Sequence, residues 1–172
     1  MRTLSLLRHA KSSWEDAESA DFDRPLAPRG LAAAPRMGAR MRQLGVSPDR
    51  VLCSPAIRTR ETARLVLPAL VNPPPVVFEQ AIYEATGETL LTLVRHLPDS
   101  AHHALLIGHN PGLHHLVLDL LGDRLPPEYD DLRRNLPTAA LVVLALPIEH
   151  WHDATHDNAR LTHYETPRDL DR

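Results

Sequence analysis

The sequence predicts a three-layer α/β/α sandwich built on a mostly parallel sheet. Three observations point there. Short apolar runs recur along the 172 residues. They are continuous rather than alternating, which suits strands covered on both faces. Between them lie stretches with apolar residues at helical spacing, and the two kinds of segment alternate along the chain.

The predicted strands are Thr3–Leu7, Arg50–Cys53, Pro75–Phe78, Ala104–Ile107 and Ala139–Leu146. A first helix is expected from Leu31 to Leu44, stopping at Gly45. Pro35 is awkward there, since an interior proline costs roughly 3 kcal/mol; it marks either the true helix start or a kink. The second helix spans Ile57–Leu70, with Ala63, Val66, Leu67 and Leu70 on one face. The third spans Gly87–Leu97 through Leu90, Leu91, Val94 and Leu97. The fourth runs Leu113–Leu121, with Gly122 as its C-cap. "VNPPPVV" reads as a stiff connector into the third strand. "LPPEYDDLRRNLP" reads as a polar loop. Residues 147–172 read as a polar, His-rich tail with a short edge strand near Arg160–Tyr164. No composition break divides residues 1–172, so one domain is expected.

A net charge of -3, with 11 His, lacks the basic excess of a nucleic-acid-binding domain. The single Cys53 excludes an intrachain disulfide and any Cys-based zinc cluster. Four apolar residues precede Arg8, too few for a signal peptide or membrane span. A soluble, cytoplasmic protein with no nucleic-acid or membrane partner is therefore expected. His109, His114 and His115 do not make an i, i+4 ligand pair, and neither they nor the tail set His150, His152, His156 and His163 is expected to bind a metal. The sequence leaves the oligomeric state open and is compatible with a monomer.

The informative positions follow the buried strands. Arg8 and His9 end the first. Ser54-Pro55 follow the second, as N-cap and first helical residue, which puts Arg58 in a first helical turn. Gly108-His109-Asn110-Pro111 follow the fourth, with Asn110 as cap and His109 on the turn. Ligands of open parallel sheets bind at this edge. Guanidinium forks match phosphate oxygens, helix N-termini favour anions, and a neutral imidazole can attack phosphorus.

"LLRHA" (Leu6–Ala10), "SPAIRTRETA" (Ser54–Ala63) and "GHNPG" (Gly108–Gly112) resemble the histidine phosphatase superfamily, and within it the short bacterial phosphohistidine phosphatases of the SixA type. "RPLAPRG", "IYEATGETLL" and "LPTAALVVL" extend the resemblance, in order, over nearly the whole chain. The resemblance implies the histidine phosphatase (phosphoglycerate-mutase-like) fold, with His9 as phosphoryl acceptor and no cofactor. Arg8 and Arg58 would grip the phosphoryl oxygens and His109 would complete the pocket. Glu84 would act as acid and base. Ala10 stands where Gly is usual. Glu15 follows Trp14 where mutase-like relatives carry Asn, and should point away from the phosphate. Ser12 could donate to the phosphate or cap a turn, Lys11 could steer anions, and Arg24 should form a structural ion pair. With no long insert, an open cleft acting on protein phosphohistidine is expected. The alternatives are a small-molecule phosphomonoesterase and a catalytically silent phosphate-binding module.

Overall fold

The structure, a computed structural model, describes residues 1–172. Six strands form one sheet: β1 Arg2–Arg8, β2 Arg50–Cys53, β3 Val76–Phe78, β4 His103–Gly108, β5 Leu141–Leu146 and β6 Arg160–Glu165. Their order is β3-β2-β4-β1-β5-β6. Pairings among β1 to β4 are parallel, whereas β5 runs antiparallel to both neighbours. A mostly parallel sheet therefore carries one reversed strand, and that strand begins at the edge where β1, β2 and β4 end.

Strand alternation sorts the core into two layers. Leu4, Leu6, Ala104 and Leu106 face one side, packed with helices α3 (Gly87–Arg95) and α4 (Gly112–Leu121). Leu7, Leu105, Ile107 and Val51 face the other, against α1 (Pro28–Gln43) and α2 (Ile57–Val66). Both faces of β1 and β4 are dry, which is why their runs are unbroken in the sequence.

The first helix starts earlier than predicted, at Pro28, and passes through Pro35. Pro35 is on the exposed face, so the carbonyl it deprives of a partner, that of Leu31, belongs to a residue in contact with water. The helix ends as predicted. Gly45 takes φ +74°, its N–H reaches the Arg42 carbonyl, and the Val46 N–H reaches that of Met41, a Schellman closure. The second helix gives way at Leu67 to a 3₁₀ turn containing Pro68, while Leu67 and Leu70 stay buried.

Two predictions need correcting. The segment read as a polar loop contains a short helix, α5 (Asp130–Arg134), because Leu125, Leu132 and Leu136 sink into the core among the charges. The stretch read as a polar tail is structural. Ile148, Trp151, Ala154 and Ala159 are buried. Trp151 donates its indole N–H to the Ala101 carbonyl at 2.7 Å, and buried Arg2 donates through Nε to the Glu149 carbonyl at 2.9 Å. The predicted edge strand is present as β6. No helix is long and apolar enough to cross a membrane.

Candidate active site

The end of β1 is clamped from both sides. The His9 N–H donates to the Gly108 carbonyl at 3.1 Å, and the His9 carbonyl accepts from Ala139 at 3.0 Å. Next to it, Arg58 is the second residue of α2 and His109 follows β4. The caps differ from prediction. Ala56, not Ser54, precedes α2, and Pro111, not Asn110, precedes α4. Both polar side chains have other partners. Ser54 turns to His109, and Asn110 Nδ2 donates to the Leu136 carbonyl at 2.8 Å. The Asn110–Pro111 bond is cis.

Arg8, His9, Ser12, Arg58, Glu84 and His109 all line one cavity of about 610 Å³. His9 and His109 lie with ring centroids 5.3 Å apart. His9 Nδ1 is 2.7 Å from the Ala10 carbonyl. A carbonyl can only accept, so Nδ1 carries the proton and Nε2 keeps its lone pair. Burial first, then the charges of His109, Arg8 and Arg58, push His9 down to about 3, against the opposing effect of the Ala10 carbonyl. The ring is therefore neutral at physiological pH. Ala10, in the usual glycine position, is fully buried, and its N–H donates to Thr62 Oγ1 at 3.0 Å.

His109 is pushed down to about 4, by burial and then by Arg58. Its Nε2 is 2.7 Å from Ser54 Oγ, an oxygen that accepts from the Ala56 N–H at 3.3 Å. The Ser54 hydroxyl can give its proton to Nε2, and in that tautomer Nδ1 of His109 is the N–H donor. That Nδ1 is buried without a partner, as are Nε of Arg8 and Nε of Arg58. Buried donors left unpaired are uncommon. Two guanidinium donors in one site, with His109 Nδ1 beside them, suit an anion with several acceptor oxygens. Burial and the neighbouring Arg58 lower the Arg8 pKa, a cost that an anion would relieve.

Asp21 and Tyr83 also line the cavity, and the sequence reading missed both. Asp21 accepts from Tyr83 Oη at 2.6 Å and from Arg58 Nη2 at 3.1 Å through Oδ2, and from Arg24 at 3.2 Å through Oδ1. The Asp21 backbone carbonyl accepts from Arg58 Nη1 at 2.7 Å. The Tyr83 hydroxyl above all, then Arg58 and Arg24, hold the Asp21 carboxyl down to about 2 despite partial burial. A carboxylate thus does line this cavity, where it fixes the outer edge of Arg58. Only its place in "DFDRPL", ahead of Arg24, could have signalled it.

The other expectations resolve as follows. Arg24 makes the expected ion pair with Asp21, stacks over the Trp14 ring at 3.5 Å and donates to Ser12 Oγ at 2.9 Å. With Arg24 bonded to its oxygen, Ser12 can aim its own O–H at the cavity. Glu15 is exposed and does not line the cavity. Glu84 is exposed, with φ +57°. No residue of 122–136 or 147–172 lines the cavity, so neither segment covers it. No three His, Cys, Asp or Glu residues group so as to hold a metal ion.

The buried rings make a pH prediction. Unfolded, both titrate near 6.5; folded, near 3 and 4. Between these limits the unfolded chain binds protons that the folded chain refuses. Their contribution to stability is therefore full above 6.5 and is lost as pH falls through 4 to 3. The urea midpoint should drop between about pH 7 and about pH 4.5, and drop less in an H9Q/H109Q variant. Equal drops in both proteins would place the acid sensitivity elsewhere.

The family model of the histidine phosphatase superfamily (branch 1) matches residues 4–106, ending just before Gly108-His109. The chain is 32% identical, over 94% of its length and all of the relative's, to an uncharacterised protein of Mycobacterium tuberculosis. Its fold is similar to that of a candidate phosphohistidine phosphatase SixA from Agrobacterium tumefaciens, with TM-score 0.82 and 28% identity over 96% of this chain and 98% of that one. It is similar again to a candidate phosphohistidine phosphatase SixA from Nakamurella multipartitia, with TM-score 0.80 and 29% identity over 96% of each chain. The chain belongs to the histidine phosphatase superfamily, branch 1, in its SixA type, a membership that supports phosphatase activity.

Proposed function

We propose that the protein is a phosphatase acting on phosphohistidine in proteins, through a phosphohistidine intermediate on its own His9 and without a metal. One observation carries this reading: a neutral His9, its Nε2 lone pair fixed by the Ala10 carbonyl, beside the unpaired Nε–H groups of Arg8 and Arg58 and the unpaired Nδ1 of His109. In the first step His9 Nε2 attacks phosphorus, and the bond from phosphorus to the substrate imidazole breaks. The leaving ring keeps the bonding pair and departs as neutral imidazole if its other nitrogen was protonated beforehand. Arg8, Arg58 and His109 Nδ1–H donate to the oxygens of the transferring group, where charge develops. In the second step water attacks phosphorus, loses a proton, and releases inorganic phosphate and free His9. Glu84, which lines the cavity, takes that proton in this reading.

The protein substrate is favoured by the uncovered cavity, and by the likeness to two SixA structures at 28% and 29% identity. A panel of kcat/KM values tests it. A phosphohistidine protein should exceed sugar phosphates by about a hundredfold or more, a gap of roughly 2.7 kcal/mol in transition-state binding. The reverse order would make the protein a small-molecule phosphomonoesterase. No turnover on any phosphorylated compound would make it a silent phosphate-binding module.

A further inference from the structure

A second cleft, of about 430 Å³, adjoins the active-site cavity and shares Lys11 and Thr138 with it. Its walls carry Lys11, Arg29 and Arg168. All three are exposed, and none makes a side-chain hydrogen bond or ion pair. This contrasts with the arginines just outside the cleft. Arg36 pairs with Asp171 at 2.8 Å and Arg40 with Glu165 at 3.1 Å.

Those outer pairs brace the cleft. Arg36 also donates to the Leu170 carbonyl at 2.8 Å, tying the segment that follows Arg168 onto α1. On the other wall the first turn of α1 is pressed against the strand that leaves His9. The Ala27 N–H donates to the Lys11 carbonyl at 2.8 Å. A Cβ on Gly30 would lie 2.2 Å from that same oxygen, so only glycine fits. Arg29 is thereby fixed beside Lys11. Two carboxylates also line the cleft. Asp169 is occupied, accepting from the Thr166 N–H and hydroxyl at 2.9 and 2.8 Å and lying 3.8 Å from Arg172. Asp131 is the remaining one, and it faces the cleft together with Tyr164.

We propose that this cleft docks an acidic segment of the protein substrate, carboxylates against Lys11, Arg29 and Arg168, while the adjoining phosphoryl group sits over His9. The inference rests on the phosphohistidine-protein reading above and adds a sequence preference to it. Unpaired cations on a concave wall favour anionic side chains and speed their encounter. The shared Lys11 and Thr138 put the two cavities side by side, within the span of one extended chain.

The test uses the full-length protein and two phosphohistidine peptides identical except that flanking Glu in one are Gln in the other. The wild type should show a kcat/KM about tenfold higher for the Glu peptide at low salt, fading by about 0.5 M salt. In R29Q/R168Q that advantage should vanish, while hydrolysis of p-nitrophenyl phosphate, too small to reach the second cleft, is unchanged. The unphosphorylated Glu peptide, followed by fluorescence anisotropy, should bind the wild type and bind R29Q/R168Q about tenfold more weakly. Equal rates for the two peptides, or an advantage that survives in R29Q/R168Q, overturns the docking site. If p-nitrophenyl phosphate is hydrolysed and neither phosphohistidine peptide is, the phosphohistidine reading fails instead. The anisotropy measurement then decides the cleft by itself, and equal binding to both proteins rejects it.

Discussion

His9→Ala is expected to abolish phosphoryl transfer, with kcat/KM falling on the order of 10⁴-fold or more. The magnitude follows from what is removed. His9 supplies the attacking nitrogen, the one imidazole of the cavity whose Nδ1 is held by a backbone carbonyl so that Nε2 keeps its lone pair. His109 is the nearest ring, at 5.3 Å between centroids, but its Nε2 is bonded to Ser54 Oγ. A brief reaction with labelled substrate followed by denaturation should leave label on the wild-type chain, stable in base and lost in acid. H9A should take up none. Label that persists on H9A would remove His9 from this role. The variant should stay folded, since the ring's one structural bond is to the Ala10 carbonyl. Any loss of stability should be modest beside the loss of rate.

Arg58→Ala is expected to cost about 10²–10³ in kcat/KM, the range seen when one oriented donor to a developing oxyanion is removed. Arg58 is 6% exposed and fixed at its outer edge by the Asp21 carbonyl and carboxylate. Its Nε has no partner. The side chain is thus aimed before substrate arrives and loses little freedom on binding. R58K should recover only a small part, because an ammonium lacks the planar fork and cannot satisfy Asp21 and a phosphoryl oxygen together. Asp21→Asn should lose less than R58A, since the Asp21 backbone carbonyl still holds Nη1. The stability readout separates function from folding. Arg58 and Arg8 repel each other, so R58A should lower Tm little or raise it, while activity collapses. A large fall in Tm that paralleled the fall in rate would mean that Arg58 is chiefly structural.

How much of this was legible follows from the reach of each interaction. Strands β2 and β4 were read nearly to the residue, because their dry, continuous apolar runs record burial on both faces. The end of α1 was legible because Gly45 signals a left-handed cap that depends on local backbone alone. Arg8, His9, Arg58 and His109 were found because each directly follows, or nearly follows, a buried strand. The caps were misjudged for a tertiary reason. Ser54 and Asn110 have good capping chemistry, yet partners far away in sequence orient both: Ser54 Oγ meets His109 beside the Ala56 N–H, and Asn110 Nδ2 donates to the Leu136 carbonyl while its Oδ1 is left unpartnered. Residues 147–172 look like a tail because the apolar residues there are few and spaced among charges. Trp151 is buried only because Ala101 and Arg2 come to meet it.

The sequence by itself determined the layered α/β class, the order of elements and the two His and two Arg at the sheet edge, since periodicity and strand ends are local properties. Only the tertiary structure decided the state of those groups. The Ala10 carbonyl sets the His9 tautomer, and Ser54 takes up one nitrogen of His109. Asp21, thirty-seven positions before Arg58, holds the arginine in place. The uncovered cavity and the cationic cleft beside it arise from segments that meet only after folding. Proton positions, pKa shifts and charge complementarity depend on distances of a few ångströms across the chain, and such distances exist only in the folded molecule.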